Sequence, residues 1–172
     1  MRRVRLRAYT LGDFDGLYEW MTDPESVKHL GGGFVSPRSQ NDVYEYLTDK
    51  TEGELSEESF VIADAETGEY LGECGLQLPD RRAKKAELAV VVLPRFRGQG
   101  VARAAICKLL RYAFEERDYN RVYLKCAAAN KGALRLYESL GFQKEGVLRS
   151  DLVIDGEYED TVIMGMLKKE WK

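Results

Sequence analysis

The sequence predicts a single α/β domain, a mixed sheet with helices packed on it, and three observations carry that prediction. Val4, Leu6 and Ala8 alternate with Arg5 and Arg7, the period-two pattern of a half-buried strand. Leu88-Ala89-Val90-Val91-Val92-Leu93 is a continuous, β-branched apolar run, as a central strand buried on both faces would be. Between such runs lie amphipathic segments such as Val101, Ala102, Ala105, Ile106, Leu109, Ala113 and Phe114, spaced for one helical face. At 172 residues the chain has the length of one domain. Its 44% hydrophobic and 32% charged composition excludes a chain disordered throughout, because it supplies both a core and a solvated surface.

Each element has its own local signal. Thr10-Leu11-Gly12-Asp13 has capping-box spacing ahead of Phe14, Leu17, Tyr18 and Met21 at helical intervals. Pro24 and the triple glycine Gly31 to Gly33 interrupt that region. Ser36-Pro37, an N-cap followed by proline, opens a second helix through Val43, Tyr44 and Leu47. Phe60 to Ala63 and Tyr70 to Leu76 flank the turn Glu66-Thr67-Gly68-Glu69, a hairpin. Arg81 to Lys85 is a solvated basic turn before the apolar strand, which begins at Ala86-Glu87. After the amphipathic helix come strand Val122 to Cys126, a helix capped by Asn130 and stopped by Gly141, and two final strands joined at Asp155-Gly156. The predicted order is β-α-α-β-β-β-α-β-α-β-β.

Bulk charge and composition narrow the function. Lys+Arg 26 against Asp+Glu 29 gives net −3, which does not advertise a nucleic-acid partner. The apolar runs fall far below the roughly 20 residues that span a bilayer, and Met1 to Arg7 lacks the apolar core of a signal peptide. The expectation is a cytoplasmic protein with no membrane partner. Cys74, Cys107 and Cys126 are odd in number and widely spaced, so they read as small buried thiols rather than a disulfide framework or a zinc site. His29 is the one histidine, which leaves little for a His-based triad or metal centre; no metal is expected.

The chemistry concentrates in the turn Arg95-Phe96-Arg97-Gly98-Gln99-Gly100. Glycine lets a backbone turn tightly and approach a ligand closely, and the N–H groups of the following helical turn lack intrahelical partners. Such a turn can cradle phosphate, with Arg95, Arg97 and Arg103 adding positive charge. Ordinary strand-to-helix turns look similar, so the motif alone is weak. The Walker lysine and the third glycine of the dinucleotide motif are both absent.

Further along, Asn130-x-x-Ala133-x-x-x-Tyr137-x-x-x-Gly141-Phe142 follows the glycine-turn helix and one strand. Together the two segments resemble the GNAT superfamily of acetyl-CoA-dependent N-acetyltransferases: the first its Arg/Gln-x-x-Gly-x-Gly/Ala pyrophosphate motif, the second its Asn and Tyr helix. Closest in look are the ribosomal-protein N-terminal acetyltransferases and the polyamine N-acetyltransferases, on Ala86-Glu87, Leu93-Pro94 and Glu145-Gly146…Asp155-Gly156-x-Tyr158. The resemblance covers nearly the whole chain, residues 1–172 as one domain. It implies an α+β fold, a mixed, mostly antiparallel central sheet of about seven strands flanked by about four helices.

The resemblance also implies roles. Arg97, Gly98, Gln99, Gly100, Val101, Ala102 and Arg103 would bind the acetyl-CoA pyrophosphate, and Asn130 would cap its helix and touch the cofactor. Backbone groups near Val91 and Val92 would meet the pantetheine arm and the thioester carbonyl, where an N–H stabilises the tetrahedral intermediate. Tyr137 would protonate the departing thiolate; its other reading is a core aromatic. Glu87 is the candidate base or amine-orienting carboxylate, or else a strand-end partner of Lys84 or Lys85. Cys126 lies beside the site without a clear base to activate it. The acceptor pocket would come from roughly Trp20 to Phe34 and Asp151 to Tyr158, where Asp23, Glu25, Asp151, Glu157 and Glu159 could attract a cationic amine. The acceptor is a primary amine, on a protein N-terminus or a small molecule. Glycines at Gly31 to Gly33, where polyamine acetylases carry carboxylates, weigh against a polyamine. The alternatives are a polyamine acetyltransferase and a non-catalytic acyl-CoA sensor, and a homodimer is common in families of this look.

Overall fold

The computed structural model describes residues 2–30, 39–52 and 58–172. Seven strands are β1 (Val4–Arg7), β2 (Glu58–Asp64), β3 (Tyr70–Asp80), β4 (Lys85–Val92), β5 (Arg121–Ala127), β6 (Gln143–Ile154) and β7 (Glu157–Leu167). They form one sheet in the order β1-β2-β3-β4-β5-β7-β6. All pairings are antiparallel except β4 with β5. The helices are α1 (Phe14–Thr22), α2 (Pro24–Val27), α3 (Gln40–Glu52), α4 (Val101–Arg111) and α5 (Lys131–Leu140).

Local signals account for the boundaries. The Asp13 carboxylate accepts the Thr10 N–H at 2.8 Å, so the predicted cap forms, opening a short 3-10 turn that runs into α1. Asp155 and Gly156 both have positive φ, 53° and 84°, as the tight hairpin between β6 and β7 requires. Gly141 ends α5 at φ 100°. The sequence predicts an interruption at Pro24, whereas the structure starts the additional helix α2 there. Proline fits a first helical position because its missing N–H would have had no partner, and Ser26 ties back to Asp23 at 2.6 Å. The amphipathic helix also changes pitch: α4 gives way to a π turn at Tyr112–Glu116, closed by Arg117 N–H on Tyr112 O. Ser36-Pro37 and Gly31 to Phe34 lie outside the described residues.

Helices cover the two faces of the sheet differently. Phe60 of β2 meets Tyr112, at the end of α4, edge-on with ring centroids 5.1 Å apart. Its neighbours Ser59 and Val61 point the other way, and Lys50 of α3 reaches Ser59 at 3.0 Å. Register carries these faces across: Val61 opposes Glu73, Glu73 opposes Val91, and Gln77 opposes Glu87. Ala86 stands beside Val122, so Leu124 and Cys126 of β5 share the α4 face. Glu73, Glu87 and Val91 therefore face α1 and α3. The α4 face is closed by Val101, Ala105, Ile106, Leu109 and Leu110, all buried.

Candidate active site

The glycine turn adopts the conformation its composition demands. Gly98 and Gly100 lie at φ 72° and 80°, in the left-handed region, and Gly100 is the N-cap of α4. A Cβ on Gly98 would meet nothing within 4 Å, so space above the turn is open and only its backbone angle requires glycine. Val101 is buried and Ala102 packs against the core, so these two contribute backbone N–H groups while their side chains fix the helix. Gln99 donates to Arg95 O at 2.8 Å and braces the turn from outside. Arg103 hydrogen-bonds the Ser139 hydroxyl, joining the start of α4 to α5.

Arg97 turns inward. Its Nε donates to the Val92 carbonyl at 3.1 Å and a terminal nitrogen donates to Ser26 Oγ at 2.7 Å. One guanidinium thus fastens the end of β4 to α2, whose Ser26 is itself buried. Its side chain thereby sets the strand end against the phosphate turn.

The central feature is a split in the sheet. β4 and β5 pair only over Lys85–Arg121, Ala86–Val122 and Glu87–Tyr123. Beyond that, β4 runs on to Val92 paired with β3, and β5 runs on to Ala127 paired with β7. A wedge opens between them, bordered by backbone of Leu88 to Val92 on one side and Leu124 to Ala127 on the other. Unpaired strand backbone offers N–H and C=O groups to an extended ligand.

Tyr137 stands at the α4 side of this wedge. It is 9% exposed, packs edge-on against Phe142 with centroids 5.9 Å apart, and lies beside Cys126. Burial raises its pKa, with Cys126 adding to the effect, so the phenol keeps its proton across the physiological range. Its hydroxyl has no hydrogen bond among the described residues. Burial also lifts the Cys126 thiol to about 11, which leaves it a poor nucleophile at neutral pH. Asn130 accepts the Ala133 N–H at 3.1 Å, the predicted cap. Cys74 is buried too, whereas Cys107 is half-exposed.

Glu87 sits at the vertex, where the strands part, and on the opposite face from Tyr137. Its carboxylate takes the Tyr123 hydroxyl, which raises the pKa of that tyrosine after burial has done so. Lys84 pairs instead with Asp118 at 2.5 Å. The two candidate catalytic side chains therefore flank the wedge from opposite sides of the sheet.

Sequence reasoning missed a second polar cluster, on the α1 and α3 side. Tyr46 Oη donates to Glu73 Oε1 at 2.8 Å, and Tyr70 Oη lies 3.4 Å from Glu73 Oε2. Trp20 Nε1 donates to Tyr70 Oη at 3.1 Å, and Tyr9 adds a further hydroxyl to Glu73. Lys50 places its ammonium 5.2 Å from the Tyr46 ring centre. Glu73 keeps a strip of accessible surface, yet enough protein surrounds it that burial raises its pKa despite these hydroxyls and Lys50. The available signal was a lone carboxylate within the apolar strand Tyr70 to Leu76. Nearby, Lys28 and His29 come within electrostatic reach of Asp155, joining two parts of the predicted acceptor wall.

These features define an acetyltransferase of the GNAT family, and the comparisons agree. The family model for the acetyltransferase (GNAT) domain matches residues 3–143, and the chain belongs to that family. It is 31% identical to the N-acetyltransferase p20 of Bacillus licheniformis, over 98% of this chain and 95% of that protein. It is 28% identical to the spermidine N(1)-acetyltransferase of Vibrio cholerae, again over 98% and 95%. The crystal structure of a Vibrio cholerae spermidine N-acetyltransferase in complex with CoA and spermine superposes with a TM-score of 0.86 at 29% identity, covering 97% of this chain and 96% of that one. Transfer of acetyl from acetyl-CoA to an amine follows from that membership, and the seven strands among the described residues, with β4 and β5 parallel, form the same kind of fold.

Proposed function

We propose that the protein acetylates a small cationic primary amine by direct attack within a ternary complex, the acetyl-CoA arm lying in the wedge between β4 and β5. The single observation that carries this reading is the parting of those strands beyond Glu87 and Tyr123. Acetyl-CoA supplies the activated thioester. The first-turn N–H groups after Gly98 and Gly100 suit its pyrophosphate, because they are partnerless donors at the positive end of α4. The backbone at Val91 and Val92 suits the thioester carbonyl, with Arg97 fixing the strand end. Tyr137 gives its proton to the departing thiolate, a role supported by its protonated state and its unengaged hydroxyl. Glu87 accepts the amine proton through a chain of ordered waters along β4, from the face opposite Tyr137.

The relatives acting on spermidine bring polyamines within the acceptor class. The region where glycines weigh against them, Gly31 to Gly33, lies outside the described residues. On this reading residues 1–172 act as one domain in the cytoplasm. The test is thiol release over a panel of spermidine, an aminoglycoside and a peptide with a free N-terminus, with calorimetric titration of acetyl-CoA, CoA and ATP. Thiol release on at least one amine together with preference for CoA over ATP supports it. Tight CoA binding without release on any acceptor favours the acyl-CoA sensor.

A further inference from the structure

We propose that Glu73, held in a box of aromatic side chains, is the anionic anchor that receives the acceptor's ammonium group. The inference rests on the reading above, in which the thioester lies at Val91 and Val92.

Position is the first argument. Glu73 is the direct cross-strand partner of Val91, so its side chain stands on the same face at about 5 Å from that of Val91. Glu87 lies four residues back along β4, about 13 Å at the usual rise per strand residue. An amine about to attack a carbonyl at Val91 thus meets Glu73 first. Glu73 also faces away from Tyr137, so the amine and the departing thiolate are served from opposite sides of the wedge.

Chemistry is the second. A carboxylate ringed by tyrosines combines an ion-pair partner with electron-rich ring faces, the two features that bind an ammonium in a partly dry site. The box already shows the match: the primary ammonium of Lys50 lies over the Tyr46 ring and attracts Glu73. Tyr46 and Tyr70 fix the two carboxylate oxygens, and Trp20 fixes Tyr70, so the anchor is pre-oriented. A purely structural strand position would carry an apolar residue here, as its neighbours Leu71 and Cys74 do.

Two variants test the anchor. Glu73→Gln keeps the shape and the oxygen that accepts from Tyr46 but removes the charge. With spermidine as the probe, KM is expected to rise at least tenfold, with kcat within threefold and the CoA dissociation constant unchanged. Lys50→Met removes the internal competitor and is expected to lower the KM for spermidine. Opposite shifts from the two variants support the anchor. An unchanged KM in Glu73→Gln overturns it, and so do equal losses of melting temperature and CoA affinity in both variants, which would make the pair structural. Failure of the parent protein to acetylate any amine in the panel is seen before either variant is compared. That result overturns the functional reading itself and the anchor with it.

Discussion

The two faces of the sheet solve different problems. Around the wedge the α4 and α5 face is apolar: Ile106, Leu109, Leu110, Leu124 and Cys126 are buried, Tyr137 is the polar group admitted beside the wedge, and the Glu58–Arg117 pair of this face lies at the start of β2. The α1 and α3 face carries Asp13 with Arg7, and Glu73 with Tyr9, Tyr46 and Tyr70. A dry wall favours keeping a phenol protonated for a leaving thiolate. A wall of hydroxyls and carboxylates favours receiving a cation. The sheet split lets one substrate arm touch both. A double-sided site of this kind separates proton donation from amine binding, so the two can be broken independently.

The largest effect is expected on the dry side. Tyr137→Phe removes one oxygen from a side chain whose ring packing against Phe142 is retained. Loss of a positioned general acid costs about 10²-fold or more in kcat, read by thiol release, while the CoA dissociation constant and the melting temperature stay close to the parent's. Activity equal to the parent's would remove Tyr137 from the chemistry and leave it a core aromatic.

Two glycine substitutions come next and separate the faces. Gly98→Ala meets no neighbour but must hold a left-handed angle, which costs about 1–2 kcal/mol. That cost falls on the phosphate turn, so CoA affinity weakens while the amine KM holds. In Gly16→Ala the new methyl would enter the Tyr70 ring, so Tyr70 must move, at a cost of about 1–3 kcal/mol. Its hold on Glu73 loosens, and the amine KM rises while CoA affinity holds. If both variants weaken CoA equally, the faces are not independent.

An acid limb of smaller size belongs to neither face. Asp64 accepts the backbone N–H groups of Thr67 and Glu66 and a bond from Arg2, which hold its pKa at about 2. A depressed carboxyl contributes stability above its ordinary pKa of about 4 and loses it as pH falls toward 2. Melting temperature in Asp64→Asn is expected to fall less steeply than the parent's between those values.

The dry face was legible in the sequence and the wet one was not. Gly98, Gly100, Asn130 and Gly141 each act through local geometry: a backbone angle, a cap, a helix stop. Spacing along the chain encodes such features directly. Glu73, by contrast, is completed by Tyr9 beyond β1, Trp20 on α1, Tyr46 on α3 and Tyr70 on its own strand, residues brought together only by packing. The rule that made Glu87 worth explaining, a carboxylate among apolar strand residues, applies equally to Glu73. The strand order and the split beyond Glu87 depend on long-range pairing, which periodicity does not report. Arg97 adds a long-range link of the same kind, since its bonds to Val92 and Ser26 join the phosphate turn to β4 and α2.

The finest comparison lies within the wet face, between two carboxyls displaced in opposite directions. At Asp13 burial works to raise the pKa, but the Arg7 guanidinium and the Thr10 N–H outweigh it, and the net shift is downward. At Glu73 burial outweighs the hydroxyls and Lys50, and the net shift is upward. Asp13 therefore adds stability at pH values above the ordinary carboxyl range, and that contribution fades as acid protonates it. Glu73 has the reverse sign: its stability is complete below the ordinary range and declines as pH rises through its raised folded value. Ionising Glu73 is thus a cost to the fold, consistent with a group kept for binding. Thermal melts of the parent and Glu73→Gln from pH 4 to pH 8 check the sign. The variant is expected to gain on the parent as pH rises and to match it near pH 4. A variant that is less stable at pH 8 would mean that the tyrosines and Lys50 make the carboxylate a net stabiliser, and the wet face would then be built for folding rather than for a cation.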